Sequence, residues 1–443
     1  MSFTSMHLQD RLSALVSGAG PSRYVVAFSG GMDSSVLLHA LQATATGIAT
    51  PVLAVHINHG LQPDSGDWET HCRAAAAAMA ADYKSLSIEV PQGSGLGPEA
   101  AARQARYQAL QQCMQAGDWL LSAHHQDDQA ETLLLNLLRG SGPAGLAGIG
   151  EIQSFAPGFL VRPLLYVARR DLEAYAAEHG LDWLEDPSNA DRQVDRNFLR
   201  HDILPALGKR WPAASARLAR SAELAAEAAA LLAELADDDL QLSEQGGCLE
   251  TEALMALSDA RQRNVLRRAL KRAGLPPAPA TRLRQVLDEL IPAKVDAVPL
   301  VRWPGAEIRR YRKCIYLLPE LGKWTTPSEQ AFGVAGNTLD LGSLGQLCLL
   351  PDTAPGIRAD IVRDGLTVRF RMGGEEIRPV GHPCTHKLKK LLQQKGVVPW
   401  MRDKIPLLWS GSRLVAVGDL WIAAEVADRQ GQGVEWRNHP AIF

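Results

Sequence analysis

Ser29-Gly30-Gly31-Met32-Asp33-Ser34 lies between a strand-like run, Tyr24-Val25-Val26-Ala27-Phe28, and a helix-like run, Ser35 to Leu41. No other feature constrains the fold as strongly. A short apolar segment of β-branched and aromatic residues reads as a buried strand. A Gly-Gly turn opening onto a helix lets backbone N–H groups approach an anion, and the helix dipole adds partial positive charge there. The lysine of the G-x-x-x-x-G-K-[ST] loop is absent. An acid, Asp33, stands instead, suited to hold Mg²⁺ against phosphate oxygens. Ser29, Gly30, Gly31, Met32 and Ser34 are the expected phosphate cradle, and Asp33 the expected metal ligand and catalytic group. Ser-Gly-Gly alone would fit an ordinary helix cap equally well.

The motif resembles the PP-loop of the pyrophosphatases that activate a substrate oxygen by adenylation. The resemblance implies ATP cleaved between its α and β phosphates, and it leaves the substrate open.

A chain of 443 residues exceeds one ordinary core, and its length predicts about three domains. No apolar run reaches the ~18 residues of a membrane span, and Met1 to Gly18 lacks the form of a signal peptide. No membrane partner and a cytoplasmic location are therefore expected. Cys72, Cys113, Cys248, Cys314, Cys348 and Cys384 are scattered without a C-x-x-C pair, which disfavours structural zinc, an iron–sulfur cluster and a disulfide framework.

The net charge of −3 hides a local pattern. Residues 261–272 carry six basic residues and no acidic one, while Leu366 to Arg413 holds ten basic residues against three acidic. Two such clusters on different segments favour an anionic polymer over a solvated face. Arg267 in the first, and Lys387, Lys389 and Lys390 in the second, are the expected contacts with such a polymer.

Strand and helix alternate up to about residue 190. Candidate strands are Tyr24–Phe28, Val52–Ile57, Lys84–Val90 and Trp119–Ser122, with helices over Trp68–Ala81 and Pro98–Ala116. That spacing predicts a doubly wound parallel sheet with ligands outside the C-terminal strand ends. Turn residues Asp186-Pro187-Ser188-Asn189 end the alternation, and an Ala-rich helical section follows. Val265, Leu266, Ala269, Leu270 and Ala273 form one stripe of an amphipathic helix whose opposite face carries Arg263, Arg267 and Lys271. Segments with β character (Glu307–Leu318), a Gly-rich connector (Phe332–Gly345) and a compact mixed unit complete the chain. The fold class is α/β, with a parallel-sheet domain over 1–212, a mainly helical domain over 213–330 and a small α+β domain over 346–443.

The second chemical signal is Ser122-Ala123-His124-His125-Gln126-Asp127-Asp128-Gln129-Ala130-Glu131-Thr132. It follows a strand, so it shares the sheet edge with the Gly-Gly loop. Acids in a first helical turn favour the dipole without further function, but capping does not require two histidines before two aspartates. A dinuclear metal hydrolase would use such residues, yet few other His or Asp groups have ligand spacing. His124, His125, Asp127 and Asp128 are the candidate catalytic groups. The Val55-His56-Ile57-Asn58-His59-Gly60-Leu61 stretch ends the second strand, where a nucleotide base can be read; Trp68, His71 and Cys72 follow it. His56 there, and Arg106 in Arg103-Gln104-Ala105-Arg106, are expected nucleotide contacts. Arg139 in Arg139-Gly140-Ser141-Gly142, and Arg196, Asn197 and Arg200 in RNFLR, supply basic and polar groups for substrate, together with Glu131.

In this order the motifs resemble the tRNA(Ile)-lysidine synthetase family. The tail matches it too, through Arg371-Met372-Gly373-Gly374-Glu375, Leu388-Lys389-Lys390-Leu391-Leu392, Val398-Pro399-Trp400 and Pro406-Leu407-Leu408. The likeness is weakest over about 210–350. Gln62 stands where many relatives would carry arginine. The resemblance implies ATP and Mg²⁺ as cofactors, with free L-lysine and an isoleucine tRNA bearing a CAU anticodon as partners. It implies that the wobble cytidine O2 attacks the α-phosphate, after which the lysine ε-amine attacks C2 and expels AMP. An amine of pKa ~10.4 is almost wholly protonated near pH 7, so a carboxylate or imidazole must accept its proton. Asp127, Asp128, Glu131, His124 and His125 are the available groups, and the sequence does not choose among them. The oligomeric state also stays open, a dimer included.

Two enzymes and one non-enzyme compete with this reading. A PP-loop thiolase would carry paired cysteines, a GMP-synthetase-type enzyme a glutaminase half, and a plain RNA-binding protein would not need the glycine loop and the HHQDD block together.

Overall fold

The computed structural model describes all residues except 1, 17–19, 46–49, 59–64, 89–97, 246, 295–296, 323 and 334–336. His59, Gly60, Leu61 and Gln62 thus lie outside the described residues. The chain divides into two units, Met1–Leu232 and Ala233–Phe443.

In the first unit, helix α1 (Ser5–Leu15) is N-capped by the Thr4 hydroxyl. The run expected as a buried strand forms β1 (Tyr24–Ala27), with Val25 and Val26 wholly enclosed. Then come α2 (Met32–Ala45), β2 (Val52–Asn58), α3 (Ser65–Ala78), β3 (Asp82–Ser87), α4 (Pro98–Cys113) and β4 (Trp119–Leu121). The unit continues with α5 (Gln126–Leu138), α6 (Pro143–Leu146), β5 (Ile152–Phe155), β6 (Gly158–Val161) and α7 (Arg169–Glu178). Next are α8 (Asp195–Phe198), a π-helical turn (Leu199–Ile203) and α9 (Leu204–Arg210). Each expected strand forms with small shifts at its ends, except that Glu89 and Val90 of the third expected strand lie outside the described residues.

The strands join in the order β3-β2-β1-β4-β6-β5. All neighbours are parallel except the hairpin of β5 and β6, which the sequence did not announce. Alternate residues of β1 feed opposite cores: Val26 packs with Phe28, Leu37, Leu41 and Leu172 on one face, and Val25 with Leu110, Leu120 and Leu160 on the other. From β1 the chain winds outward through β2 and β3, then returns to place β4 against the other edge of β1. That reversal opens a crevice at the C-terminal ends of β1 and β4. Both chemical motifs emerge there.

Helix α10 (Ala214–Ser243) crosses the boundary between the units. Beyond it, α11 (Thr251–Met255), α12 (Asp259–Arg272) and α13 (Ala280–Gln285) are joined by a five-stranded antiparallel sheet that includes Cys248–Glu250, Leu300–Trp303, Ala306–Tyr311 and Cys314–Pro319. The helical middle therefore carries more strand than its Ala-rich sequence announces. Val265, Leu266 and Leu270 are buried with Val301, Ile308 and Ile315, as the stripe on α12 requires, while Ala273 is exposed.

The expectation against disulfides needs correction at one pair. Cys314 and Cys248 lie on adjacent antiparallel strands and are bonded to each other, although 66 residues separate them. Strand pairing at long range, invisible in Cys spacing, brings them together. The expected connector Phe332–Gly345 also contains parts of two strands, Gln330–Phe332 and Thr338–Asp340, each too short to show alternation. Among the described residues the remainder comprises two five-stranded antiparallel sheets and a two-stranded one (Glu376–Ile377 with His386–Lys387), with helices α14 (Ala359–Arg363) and α15 (Leu388–Lys395). Among the described residues no helix is long and apolar enough to cross a membrane.

Candidate active site

The loop after β1 is built so that its carbonyls face backward. The Phe28 carbonyl accepts from His56 Nδ1 at 3.1 Å and the Ser29 carbonyl from Trp68 Nε1 at 2.7 Å. Gly30 accepts from the Leu184 N–H at 3.0 Å, and Gly31 from the Ser34 hydroxyl at 2.9 Å and the Ser35 N–H at 3.0 Å. Four consecutive acceptors are thereby occupied. The N–H groups of Gly30, Met32 and Asp33 have no acceptor among the described residues and remain for an anion. Gly30 sits at φ +78°, and a Cβ there would lie 2.6 Å from Cys72 Sγ, so glycine is required twice over. Ser29 and Ser34 hydroxyls are 3.1 Å apart beside the opening. His56, an expected nucleotide contact, is instead buried beneath the loop, and burial lowers its pKa despite the opposing Phe28 hydrogen bond.

Asp33 opens α2. Its Oδ2 lies 3.6 Å from His125 Nε2, while its Oδ1 is enclosed and has no hydrogen-bond partner. One carboxylate oxygen is thus left for a cation, which fits Mg²⁺ held by one protein carboxylate and the substrate's own phosphates. Among the described residues no group of three metal-ligating side chains exists, so an all-protein metal cage, and with it the dinuclear hydrolase, finds no support.

The segment after β4 supplies the opposite wall. His125 is the N-cap of α5: its Nδ1 accepts from the Asp127 N–H at 3.2 Å, and its own N–H donates to Asp128 Oδ2 at 2.9 Å, a capping box. With Nδ1 accepting, the proton resides on Nε2, between Asp33 Oδ2 and Asp128 Oδ2 at 3.6 and 3.5 Å. Burial disfavours the charged imidazole, but the Asp33 contact and the charges of Asp128, Asp33 and Asp127 outweigh it and raise the pKa. His124 behaves oppositely. Burial dominates over the attraction of Asp128, Arg162, Arg196 and Arg103 add repulsion, and its pKa falls to about 4. Its Nδ1 is 2.6 Å from the Ser122 hydroxyl. The two adjacent histidines are therefore shifted in opposite directions.

Beneath them lies a closed quartet. Asp128 and Glu131, three residues apart on α5, face Arg196 and Arg200, four apart across α8 and the π-helical turn. Arg196 donates Nε to Glu131 Oε2 at 2.7 Å and Nη2 to Asp128 Oδ1 at 2.9 Å. Arg200 donates Nε to Glu131 Oε1 at 2.7 Å and Nη2 to Asp128 Oδ1 at 3.1 Å. Glu131 is 0% exposed. Burial pushes the Asp128 carboxyl up, but His125, Arg196, His124 and the His125 N–H bring it down to about 2. Glu131, Arg196 and Arg200, expected to bind substrate, are engaged with one another. Asp127 is engaged as well: its Oδ2 accepts the Arg169 N–H at 3.2 Å and so caps the start of α7.

Arg139 is exposed at the far end of α5, about 20 Å from its start at 1.5 Å per residue. Arg106 is exposed on α4, and Asn197 is buried with its amide donating to the Asp191 carbonyl at 2.9 Å. On α12, Arg261 and Arg268 pair with Asp239 and Asp237 of α10, which neutralises part of that basic run; Arg267 stays exposed. Lys387 precedes α15, and Lys389 and Lys390 are exposed in its first turn. The sequence reading missed Trp68 as a loop contact, and it missed Arg162. The latter is a buried guanidinium at the end of β6 whose Nη1 donates to the Gly150 carbonyl at 2.5 Å. Its only signal was a charged residue directly after a strand.

Comparison with known proteins adds three matches to domain families: a PP-loop domain over residues 4–207, a TilS substrate binding domain over 249–316 and a TilS substrate C-terminal domain over 366–437. The tRNA(Ile)-lysidine synthase of Alkalilimnicola ehrlichii is 45% identical over 422 residues, 95% of each chain. Those of Xanthomonas campestris pv. campestris and Methylococcus capsulatus are 43% and 42% identical; the first alignment covers 94% of each chain, the second 92% of this chain and 93% of the relative. Among solved structures, the U34-tRNA thiolase NcsA from Methanococcus maripaludis aligns with a TM-score of 0.43 and 19% identity over 49% of this chain and 77% of that one.

The histidine pair predicts an acid-sensitive fold. His124 is neutral when folded down to about pH 4 but is protonated when unfolded below about pH 6.5. The His124 contribution to stability is therefore full above pH 6.5 and declines as the pH falls from there toward about 4. His39 and His56, also lowered by burial, act in the same direction. His125, shifted upward, is protonated in both states below pH 6.5 and adds no slope there. Urea unfolding at pH 7, 6 and 5 should show a shallower decline in H124Q than in the parent. Equal slopes would contradict a buried neutral His124.

Proposed function

The chain belongs to the tRNA(Ile)-lysidine synthase family, and on that premise we propose how its candidate site works. It is a ligase that uses ATP to modify tRNA. The proposed reaction joins free L-lysine to C2 of the wobble cytidine in the CAU anticodon of isoleucine tRNA. Pyrophosphate leaves first and AMP second, and the tRNA changes from methionine to isoleucine specificity. One observation carries the reading: an anion loop with unclaimed N–H groups and a histidine–carboxylate cluster meet in a single crevice, with His125 Nε2 3.6 Å from Asp33 Oδ2.

Adenylation is needed because a pyrimidine carbonyl oxygen leaves poorly and AMP leaves well. The N–H groups of Gly30, Met32 and Asp33, with the Ser29 and Ser34 hydroxyls, bind the departing pyrophosphate where its charge accumulates. Asp33 would hold Mg²⁺, which supplies further neutralisation of phosphate charge. The ε-amine must lose a proton as it bonds to C2. Asp127, Asp128 and Glu131 already accept hydrogen bonds from the protein, and His125 carries its proton on Nε2. His124, neutral and half-buried, is assigned as the acceptor. Once the C–N bond forms, the nitrogen is acidic enough for a weak base to serve. The anticodon loop must splay the cytidine into the crevice, as readers of single-stranded RNA require. The cationic faces at Arg267 and at Lys387, Lys389 and Lys390 hold the tRNA elsewhere.

Incubation with unmodified isoleucine tRNA, ATP and labelled lysine tests the reaction. Pyrophosphate is expected with tRNA present, and transfer of label to tRNA only when lysine is added. Asp33→Asn should abolish pyrophosphate release while tRNA affinity stays within about twofold; retained release would overturn the Asp33 assignment.

The tail gives a separate expectation. Changing Lys387, Lys389 and Lys390 together to alanine should raise the tRNA KM without altering those for ATP or lysine. Each lost phosphate contact should flatten the log K against log[salt] slope by about 0.7 to 0.9. An unchanged slope would remove these lysines from the RNA interface.

A further inference from the structure

We propose that Trp68, on α3, is a positioning residue for the pyrophosphate-binding loop. Its indole N–H donates to the Ser29 carbonyl at 2.7 Å, the shortest bond holding any of the four backward-facing carbonyls. Peptide planes are rigid. Fixing the Ser29 carbonyl therefore also fixes the direction of the Gly30 N–H on the same peptide, one of the donors left for an anion. The same indole borders the space a side chain at position 30 would need, since a Cβ there would lie 3.2 Å from Nε1. Trp68 thus holds one loop residue by a hydrogen bond and bounds the space beside the next. The ring packs against the buried core of the sheet, which gives it a firm base.

Its neighbours cannot substitute. Cys72 Sγ fills the other side of Gly30 but makes no hydrogen bond to the loop; burial raises its pKa to about 12, which keeps it a thiol. His56 holds the preceding carbonyl, of Phe28. Loss of the indole N–H would leave the Ser29–Gly30 peptide free to rotate, so a donor would turn away from the pyrophosphate and an acceptor toward it. The effect belongs to the first half-reaction.

The inference rests on the reading that this loop holds pyrophosphate, and the experiment separates the two. The full-length protein, labelled with ¹⁵N in its tryptophan indoles, is titrated with inorganic pyrophosphate, and the Trp68 resonance is identified by its absence in W68F. Pyrophosphate should shift that resonance, and W68F should weaken pyrophosphate binding and slow pyrophosphate release about three- to tenfold, the range of one hydrogen bond. The lysine KM and tRNA Kd should not change. If pyrophosphate binds the parent and the Trp68 signal does not move, the positioning role is wrong and the loop reading survives. If pyrophosphate does not bind the parent at all, both fall. Should W68F fail to fold, the titration of the parent, with the resonance identified in W68H instead, still decides.

Discussion

Two carboxylates and two guanidiniums, enclosed together, set the geometry on which everything above them depends. Asp128 and Glu131 leave one side of α5, and Arg196 and Arg200 reach them from a segment more than sixty residues later. The four charges cancel. A buried pair is weak evidence for net stability, because desolvation offsets much of the attraction, but removing one partner leaves an uncompensated charge and costs about 3–5 kcal/mol. The quartet thus acts as a geometric lock. It keeps the first turn of α5 against α8 and the π-helical turn, and it holds the Asp128 carboxylate where the His125 N–H and Nε2 both meet it.

From that lock follows the contrast between the histidines. His125 lies among carboxylates and leans toward the charged form, whereas burial, reinforced by nearby arginines, keeps His124 neutral. A crevice at a strand-order reversal would accept many ligands. A loop stripped of competing acceptors and an available carboxylate oxygen on Asp33 suit this one to a phosphate group with its counter-cation.

Much of this was legible in the sequence because it is local. The Gly-Gly loop, the strands on either side of it and the HHQDD segment each carry their signal within about a dozen residues, and parallel-sheet logic alone puts the two loops on one edge. What was not legible depends on distant partners. No spacing rule ties Arg196 to Glu131, and an arginine four residues from another looks equally apt for substrate. Asp127 looks catalytic beside Asp128, yet it caps a helix that begins forty-two residues later. The basic run on α12 looks uniformly free until Asp237 and Asp239 of α10 come to lie across it. The Cys248–Cys314 bond likewise follows from strand pairing, not from cysteine spacing. Short strands such as Thr338–Asp340 have no room to display alternation.

The central claim, that the quartet acts as one unit, is tested most directly by a double-mutant cycle in urea unfolding at pH 7 with Glu131→Gln, Arg200→Gln and their combination. Each single change should destabilise the fold strongly, and the pair together by clearly less than the sum, with a coupling of about 1–3 kcal/mol. Additive losses within about 0.3–0.5 kcal/mol would mean that the carboxylate and the guanidinium act independently, and the account of the site would fail.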